Sequence, residues 1–397
     1  MILENLRLVP SEKTTKLEAD LQSAHFGKTT IWAETDNRYA HALTAENYNG
    51  FLVGLLCPAM YFGEDIHIKG VVSQKLLFNV THYVIPFIQT YMPYTKKINI
   101  VADSTQCALT HHENHVGTGY SAGVDSLCTI YDHLEKETVP DYKLDTLVFL
   151  NTGSHGVFSK PTTEPKFYAR FEYLQKTAPL PFIAVNTNIH RFHEIFPNSH
   201  QKTVTFTNAA GVLVLEKYFS KYYIASAENY AEMFSFAQHY LDFDTAPFEP
   251  LLLPLLSTEN LSFIADGQQY TRSQKTARIA DYELAHRALN VCVNGQEKTA
   301  KNCSHCPKCL RTLMTLDSLG KLKEFSNVFD LNVYKRHSFV YKCQQRVLYS
   351  RNPFAKDNID LARKNGKSIP WWPIAVLSCM PNIFKHFFKR NTKILKR

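Results

Sequence analysis

The stretch "HVGTGYSAGVDSLCTIYDHL", residues 115–134, decides how this chain reads. A short apolar run meets an amphipathic run through a glycine-bearing turn. "VGTGYS" predicts a short strand. "DSLCTIYDHLEK" predicts a helix with Leu127, Ile130, Tyr131 and Leu134 on one face. Between them lies "SAGVDS", residues 121–126. A strand-to-helix turn is where backbone N–H groups lack partners and carry partial positive charge. Gly123 allows a tight turn and close approach of an anion. Ser121 and Ser126 add hydroxyl donors. Asp125 would repel a bare anion, but a carboxylate with phosphate oxygens is a common way to hold Mg²⁺. An ordinary turn capped by Ser or Asp accounts for the same residues. The Walker pattern is absent, and the loop has no lysine. Any cation for a phosphate must come from elsewhere.

Outward from this stretch, strands and helices alternate. "LDTLVFLNT", "PFIAVNTN" and "YYIASA" read as strands, "PKFYARFEYLQKTA" and "TNAAGVLVLEKYFSK" as helices. Apolar strands alternating with helices predict an α/β fold, a parallel sheet flanked by helices. Ligands on such sheets bind outside the carboxyl ends of the strands. Residues 1–104 read as an N-terminal α+β domain. There "TTIWAET" and "RYAHALT" predict a hairpin turning at Asp36-Asn37. "QKLLFNVTHYVIPFIQTYM" predicts a helix that Pro86 should end or kink. "KKINIVAD" predicts a strand, and polar residues 104–115 a connector. Residues 115–330 form the expected central domain, and 331–397 a C-terminal extension.

Four of the nine cysteines cluster as Cys292-x10-Cys303-x2-Cys306-x2-Cys309. That spacing suits a tetrahedral four-thiolate zinc site. Free thiols, disulfides and an iron–sulfur cluster are the competing readings. With four protein ligands no coordination position is open, so the metal would be structural, clamping a C-terminal lobe. His305, between two of the cysteines, reads as a bystander.

The totals exclude several classes. Charged residues at 20% and apolar residues at 45% argue against disorder. The net charge of +8 is concentrated at the end: residues 381–397 hold six lysines and arginines and no acid. No apolar run is long enough to span a membrane. The opening residues lack a signal peptide's apolar core, and the cysteines are clustered. Both point to a cytoplasmic protein.

The loop is similar to S-G-G-x-D-S, the pyrophosphate-binding loop of the N-type ATP pyrophosphatase (PP-loop) superfamily. Ser121, Gly123, Asp125 and Ser126 stand in register, while Ala122 replaces the first glycine. A methyl there is tolerable if Ala122 need not adopt a positive φ. Combined with "NVCVNG" and "NCSHCPKC", the chain over roughly residues 115–325 resembles the 7-cyano-7-deazaguanine synthase family. The resemblance implies an adenine nucleotide alpha hydrolase-like fold. It implies ATP and Mg²⁺ held by residues 121–126, with Ala122 and Val124 contributing backbone, and Zn²⁺ held by the four cysteines. The implied reaction is adenylation of a carboxylate or amide oxygen, releasing pyrophosphate, followed by attack of a nitrogen nucleophile. The segment after the family's fourth strand that surrounds its base is missing: "ASAENYAEMFSF" stands there. A different small-molecule acceptor is therefore expected, with ammonia free or supplied by a partner.

Other residues follow from position. Asn151 and Gly153 follow the second strand, where the resemblance implies an adenosine pocket, although an ordinary strand-to-helix loop accounts for them equally well. Lys202 and Thr207 are candidates to face the phosphates, although a solvated loop is the commoner outcome. Arg272 would assist binding, and Lys275 would offset the charge on leaving pyrophosphate, the alternative being that it caps a helix or faces water. "HHENH" (111–115) reads as a solvated linker rather than a metal site. The tail, with Trp371, Trp372, Phe384, Phe387 and Phe388 among basic residues, suits a docked helix, a membrane surface or RNA. Two further readings stay open. One is sulfur transfer to tRNA, which needs a reactive cysteine such as Cys128. The other is a non-catalytic, zinc-stapled RNA- or membrane-binding module. Self-association is also open.

Overall fold

The computed structural model describes all residues except 240–243, 293–300, 368 and 370–397. The expected tail helix with its tryptophans lies outside the described residues. The chain forms two compact units, Met1–Tyr270 and Thr271–Arg397. The boundaries expected at 104–115 and at 330 both fall inside these units.

The first unit is α/β. Its strands are β1 (Ile2–Pro10), β2 (Thr14–Ser23), β3 (Gly27–Asp36), β4 (Ile66–Ser73), β5 (Ile100–Gln106), β6 (His115–Gly119), β7 (Thr146–Asn151), β8 (Phe182–Thr187), β9 (Phe219–Ala225) and β10 (Ser262–Asp266). They make one sheet in the order β10-β9-β6-β7-β8-β3-β2-β1-β4-β5. From β10 to β8 all pairs are parallel, as are β1, β4 and β5. The meander β1–β2–β3 and its junction with β8 are antiparallel. The two classes differ as physics requires. β7 is buried along almost its whole length, whereas β2 alternates, burying Thr15, Leu17, Ala19 and Leu21.

Three local features depart from the sequence reading. "RYAHALT" is no strand: residues Asn37–Ala42 form a 3₁₀ turn, started by Asp36, whose carboxylate accepts from the Arg38 N–H at 2.9 Å. The hairpin partner of β3 is β2 instead. Pro86 does not end its helix, which is irregular just before it. The helix widens over Val80–Val84, where the Ile85 N–H reaches the Val80 carbonyl, and then continues over Ile85–Tyr91. The apolar helix Asn49–Phe62, not expected from the sequence, is buried from Asn49 to Met60. Gly50 and Gly54 let it approach the helix Ser199–Leu213, since a Cβ on Gly50 would lie 2.8 Å from Val214 Cγ1.

Within the parallel half, the chain runs outward from β6 to β7 and β8, then crosses back to β9 and β10. The order reverses between β6 and β9. That switch point opens a crevice at the strands' carboxyl ends.

The halves of the sheet meet where β3 pairs β8 over only Ala33↔Thr187 and Glu34↔Asn186. Side chains complete the ladder. Asn188 Oδ1 accepts from the Trp32 N–H at 2.8 Å, and its Nδ2 donates to the Thr30 carbonyl at 2.9 Å. The Thr187 hydroxyl donates to the Trp32 carbonyl at 2.7 Å. Asn188 is 2% exposed, so its removal strands backbone groups away from water. Asn188→Ala is expected to cost about 2–4 kcal/mol, read as a lower urea midpoint.

Candidate functional site

The loop after β6 lies at the switch point. The helix Val124–Ile130 starts at Gly123 without a side-chain cap and runs on through Lys136. Its first turn carries Asp125. The Ser121 and Ser126 hydroxyls are 3.2 Å apart, and Ser121 Oγ accepts from the Gly123 N–H at 3.3 Å. Gly119, Tyr120, Ser121, Asp125 and Ser126 face a cleft of about 250 Å³, closed by the ends of β7 and β9.

The left-handed residue in this loop is Ala122, at φ 58 and fully buried. Gly123 has an ordinary φ of −76. Gly123 was expected to make the turn, and a methyl at Ala122 was tolerable only without a positive φ; the backbone instead puts Ala122 in the left-handed region, so that condition is not met. An L-residue in this region costs about 1–2 kcal/mol, strain that the surrounding packing sustains.

Two side chains secure the loop from outside it. Arg170, 6% exposed on the helix Thr163–Gln175, donates from Nη2 to the Ser121 carbonyl at 3.0 Å. Burial lowers its pKa from the ordinary arginine value. It sets a guanidinium behind a loop that has no lysine or arginine of its own. Its sequence signal is its place in an otherwise apolar stripe with Phe167 and Leu174. At the other end, Asp266 closes β10, accepting from Thr129 Oγ1 at 2.6 Å and meeting His133 Nε2 at 3.0 Å. Burial pushes Asp266 up, but the bonds from His133 and Thr129 outweigh it and hold the carboxyl below its usual range. His133 also stacks on Tyr223 at 3.8 Å. The helix is therefore pinned to β9 and β10.

A larger cavity of about 540 Å³ opens beyond β7 and β8. Gly153 lines it, as do His190, His200 and Thr207. The Thr152 hydroxyl, on this cavity, donates to Asn208 Oδ1, on the smaller cleft, at 2.6 Å. Asn151 lines neither: its Nδ2 donates to Asn186 at 2.7 Å within the sheet. Lys202 turns to Tyr94, 3.2 Å from its hydroxyl. His115 stacks on Tyr218 at 4.1 Å and pairs with Glu113 and Asp145, so it is more ordered than a solvated linker.

Arg272 and Lys275 belong to the second unit, on the helix Arg272–Arg278, where Lys275 is 1% exposed. The start of that helix already holds an anion. Asp357 accepts from the Ser273 N–H at 2.7 Å and from the Thr271 and Ser273 hydroxyls.

Cys292, Cys303, Cys306 and Cys309, in the same unit, place their sulfurs within 4.8 Å of one another, and can hold a metal ion. Cys303 and Cys309 are 3.9 Å apart. Sulfurs at the corners of a tetrahedron with 2.3 Å zinc bonds stand about 3.8 Å apart. The Cys306 hydrogen bond and burial push the Cys309 thiol up, and a bound cation would favour its thiolate. Asn302, missed in the sequence, shapes the site. Its Oδ1 accepts from the Val291 and Cys292 N–H groups, and its Nδ2 donates to the Leu289 and Val328 carbonyls. His305 is exposed and bonds to the Cys303 carbonyl, as a bystander would.

No family model, curated protein or solved structure matches this chain. Among the described residues, no helix is long and apolar enough to cross a membrane.

Two outcomes are expected. Ala122→Gly keeps or gains up to about 1 kcal/mol, whereas Ala122→Val loses about 2 kcal/mol or more, compared by urea midpoints at unchanged slope. Elemental analysis finds about one metal ion per chain, and Cys306→Ser or a strong chelator removes it and lowers the melting temperature.

Proposed function

We propose that the protein is an ATP-dependent ligase that cleaves ATP to AMP and pyrophosphate while activating a carboxylate or amide oxygen. The observation that carries this reading is the position of the uncapped loop at the switch point. It faces a cleft, and a buried arginine stands behind it. The loop chemistry suits a polyphosphate. First-turn N–H groups and the Ser121 and Ser126 hydroxyls donate to phosphate oxygens, and Arg170 contributes positive potential through the Ser121 peptide. Asp125 fits only with a cation between it and the phosphates, the place of Mg²⁺.

In this reading an acceptor carboxylate oxygen attacks the α-phosphorus. The bond from that phosphorus to the bridging oxygen breaks, and pyrophosphate leaves. Ammonia then attacks the acyl carbon, AMP leaves, and the nitrogen gives up a proton, forming an amide. Repeating the activation on the amide oxygen releases a second pyrophosphate, and loss of AMP with both protons of the nitrogen yields a nitrile. The donors act best on the charge that develops on the leaving pyrophosphate. The cation that the sequence assigned to Lys275 is, in this proposal, Arg170. The metal held by the four cysteines is zinc in a structural role, since four protein thiolates leave no open position. Sulfur transfer is less well supported, because Cys128, its candidate nucleophile, is 1% exposed.

Incubation with ATP, Mg²⁺, ammonium and a panel of carboxylic acids is expected to release AMP and pyrophosphate in equal amounts. Asp125→Asn is expected to reduce this at least about 100-fold with the fold retained. Release of orthophosphate and ADP instead would overturn the reading.

A further inference from the structure

We propose that the second unit binds a single-stranded polynucleotide along the outer face of the helix Leu331–Leu348, whether or not the first unit is a ligase.

Charge is divided unevenly along the chain. Residues 1–270 hold 19 lysines and arginines against 28 acids, whereas residues 271–397 hold 25 against eight. Residues 381–397 account for only six of those 25, so the body of the second unit is basic in its own right. Most of its acids are already engaged. Asp317 holds Lys342 at 2.5 Å, and Asp360 holds Lys356 at 2.6 Å and the Tyr349 hydroxyl at 2.8 Å. Asp281 pairs with Lys321. Asp330 accepts from the Asn332 and Val333 N–H groups, and Asp357 from the Ser273 N–H. By contrast, Lys301, Lys335, Arg336, Arg346, Arg351 and Lys364 make no ion pair among the described residues. Such a surplus of cations is the electrostatic footprint of a polyanionic partner.

The helix Leu331–Leu348 gathers this surplus. Its eighteen residues include no acid. One face buries Tyr334, Tyr341 and Gln345. The other exposes Lys335, Arg336, Phe339 and Val340, with Arg346 further along it. Lys335 and Arg346 are eleven residues apart, about 16 Å along the axis. Aromatic rings accompany the cations at both ends. The His337 ring lies 5.8 Å from that of His305, exposed in the turn between Cys303 and Cys306, so the cysteine cluster borders the same surface. At the far end, Arg363 lies 4.9 Å and Lys356 5.8 Å from the Tyr349 ring.

A row of cations suits a row of phosphates, and exposed rings among them suit bases that are free to stack. Bases in a duplex are already stacked on each other, so the rings favour a single strand. A membrane surface fits less well. An interfacial helix segregates apolar from charged residues. Here Lys335 and Arg336 share one face with Phe339 and Val340, and the opposite face is committed to the core. An acidic protein would use the cations and leave the rings without a role.

The test uses the full chain without ATP. Fluorescent oligouridine and oligothymidine of about 20 nucleotides are titrated by anisotropy at roughly 50 to 200 mM salt. The expected result is saturable binding with a Kd of about 1 μM or lower at the lowest salt, weakening steeply as salt rises. Lys335→Glu with Arg336→Glu should weaken binding about tenfold or more, and Phe339→Ala about fivefold. Melting curves and metal content check that each variant keeps its fold and its ion. No saturable binding of either probe would overturn the proposal. Unchanged binding by the folded double variant would do so too, and would assign the binding to the basic tail. A duplex or poly-glutamate bound as tightly as the single strand, or a preference for phosphatidylserine vesicles, would overturn it in favour of another partner. Binding without any AMP release would instead sink the ligase reading and leave this one standing.

Discussion

The sheet of the first unit depends on a polar seam. At the junction of β3 and β8 only two residue pairs are in register, and a row of buried polar side chains crosses it. Glu34 accepts from Asn186 Nδ2 at 2.8 Å and from the Tyr168 hydroxyl at 3.0 Å, and Asn186 Oδ1 accepts from Asn151. Burial and the nearby Glu34 push the Tyr168 hydroxyl well up, so it stays a donor. The seam joins an antiparallel meander, buried on one face, to parallel strands buried on both. Mispaired, every one of these groups would lose its hydrogen bonds in a region closed to water.

A second buried acid works the same way at the back of the sheet. Glu216 is fully buried and accepts from Asn47, Asn49, Thr258 and Asn260 at 2.6 to 3.1 Å. Four neutral donors stand in for a cation and connect segments more than 160 residues apart. With Glu34 and Glu216 both hydrogen-bonded, the two acids tie together the strands that carry the loop. The strain at Ala122 is then sustained locally: Arg170 holds the peptide before it, and Asp266 holds the helix after it.

Much of the candidate site was legible. The cysteine cluster shows in the sequence because its ligands are close along the chain, and turn geometry alone brings three of them together. The loop shows for the same reason, as a contiguous strand–turn–helix. Arg170 was half legible, as a charge in an apolar helical stripe. Asn302 and Asn188 were not, because an asparagine that bonds to distant backbone looks like one in a solvated turn. The larger cavity was illegible as a whole. Its lining comes from separate segments around Thr152, His190, Ser199 and Thr207, which only the sheet order gathers.

The amino-acid sequence by itself determined the alternation of strands and helices, the turn at residues 120–126 and the four-thiolate spacing. These arise from side-chain periodicity and short-range geometry, which neighbouring residues carry. Tertiary structure alone decided that the strands of residues 1–104 share a sheet with those of residues 115–266. It also decided that Ala122 rather than Gly123 takes the left-handed turn, and that two cavities share a wall at Thr152 and Asn208. Each of these rests on hydrogen bonds or packing between residues far apart in the chain. Their energy is set by burial that no local pattern records.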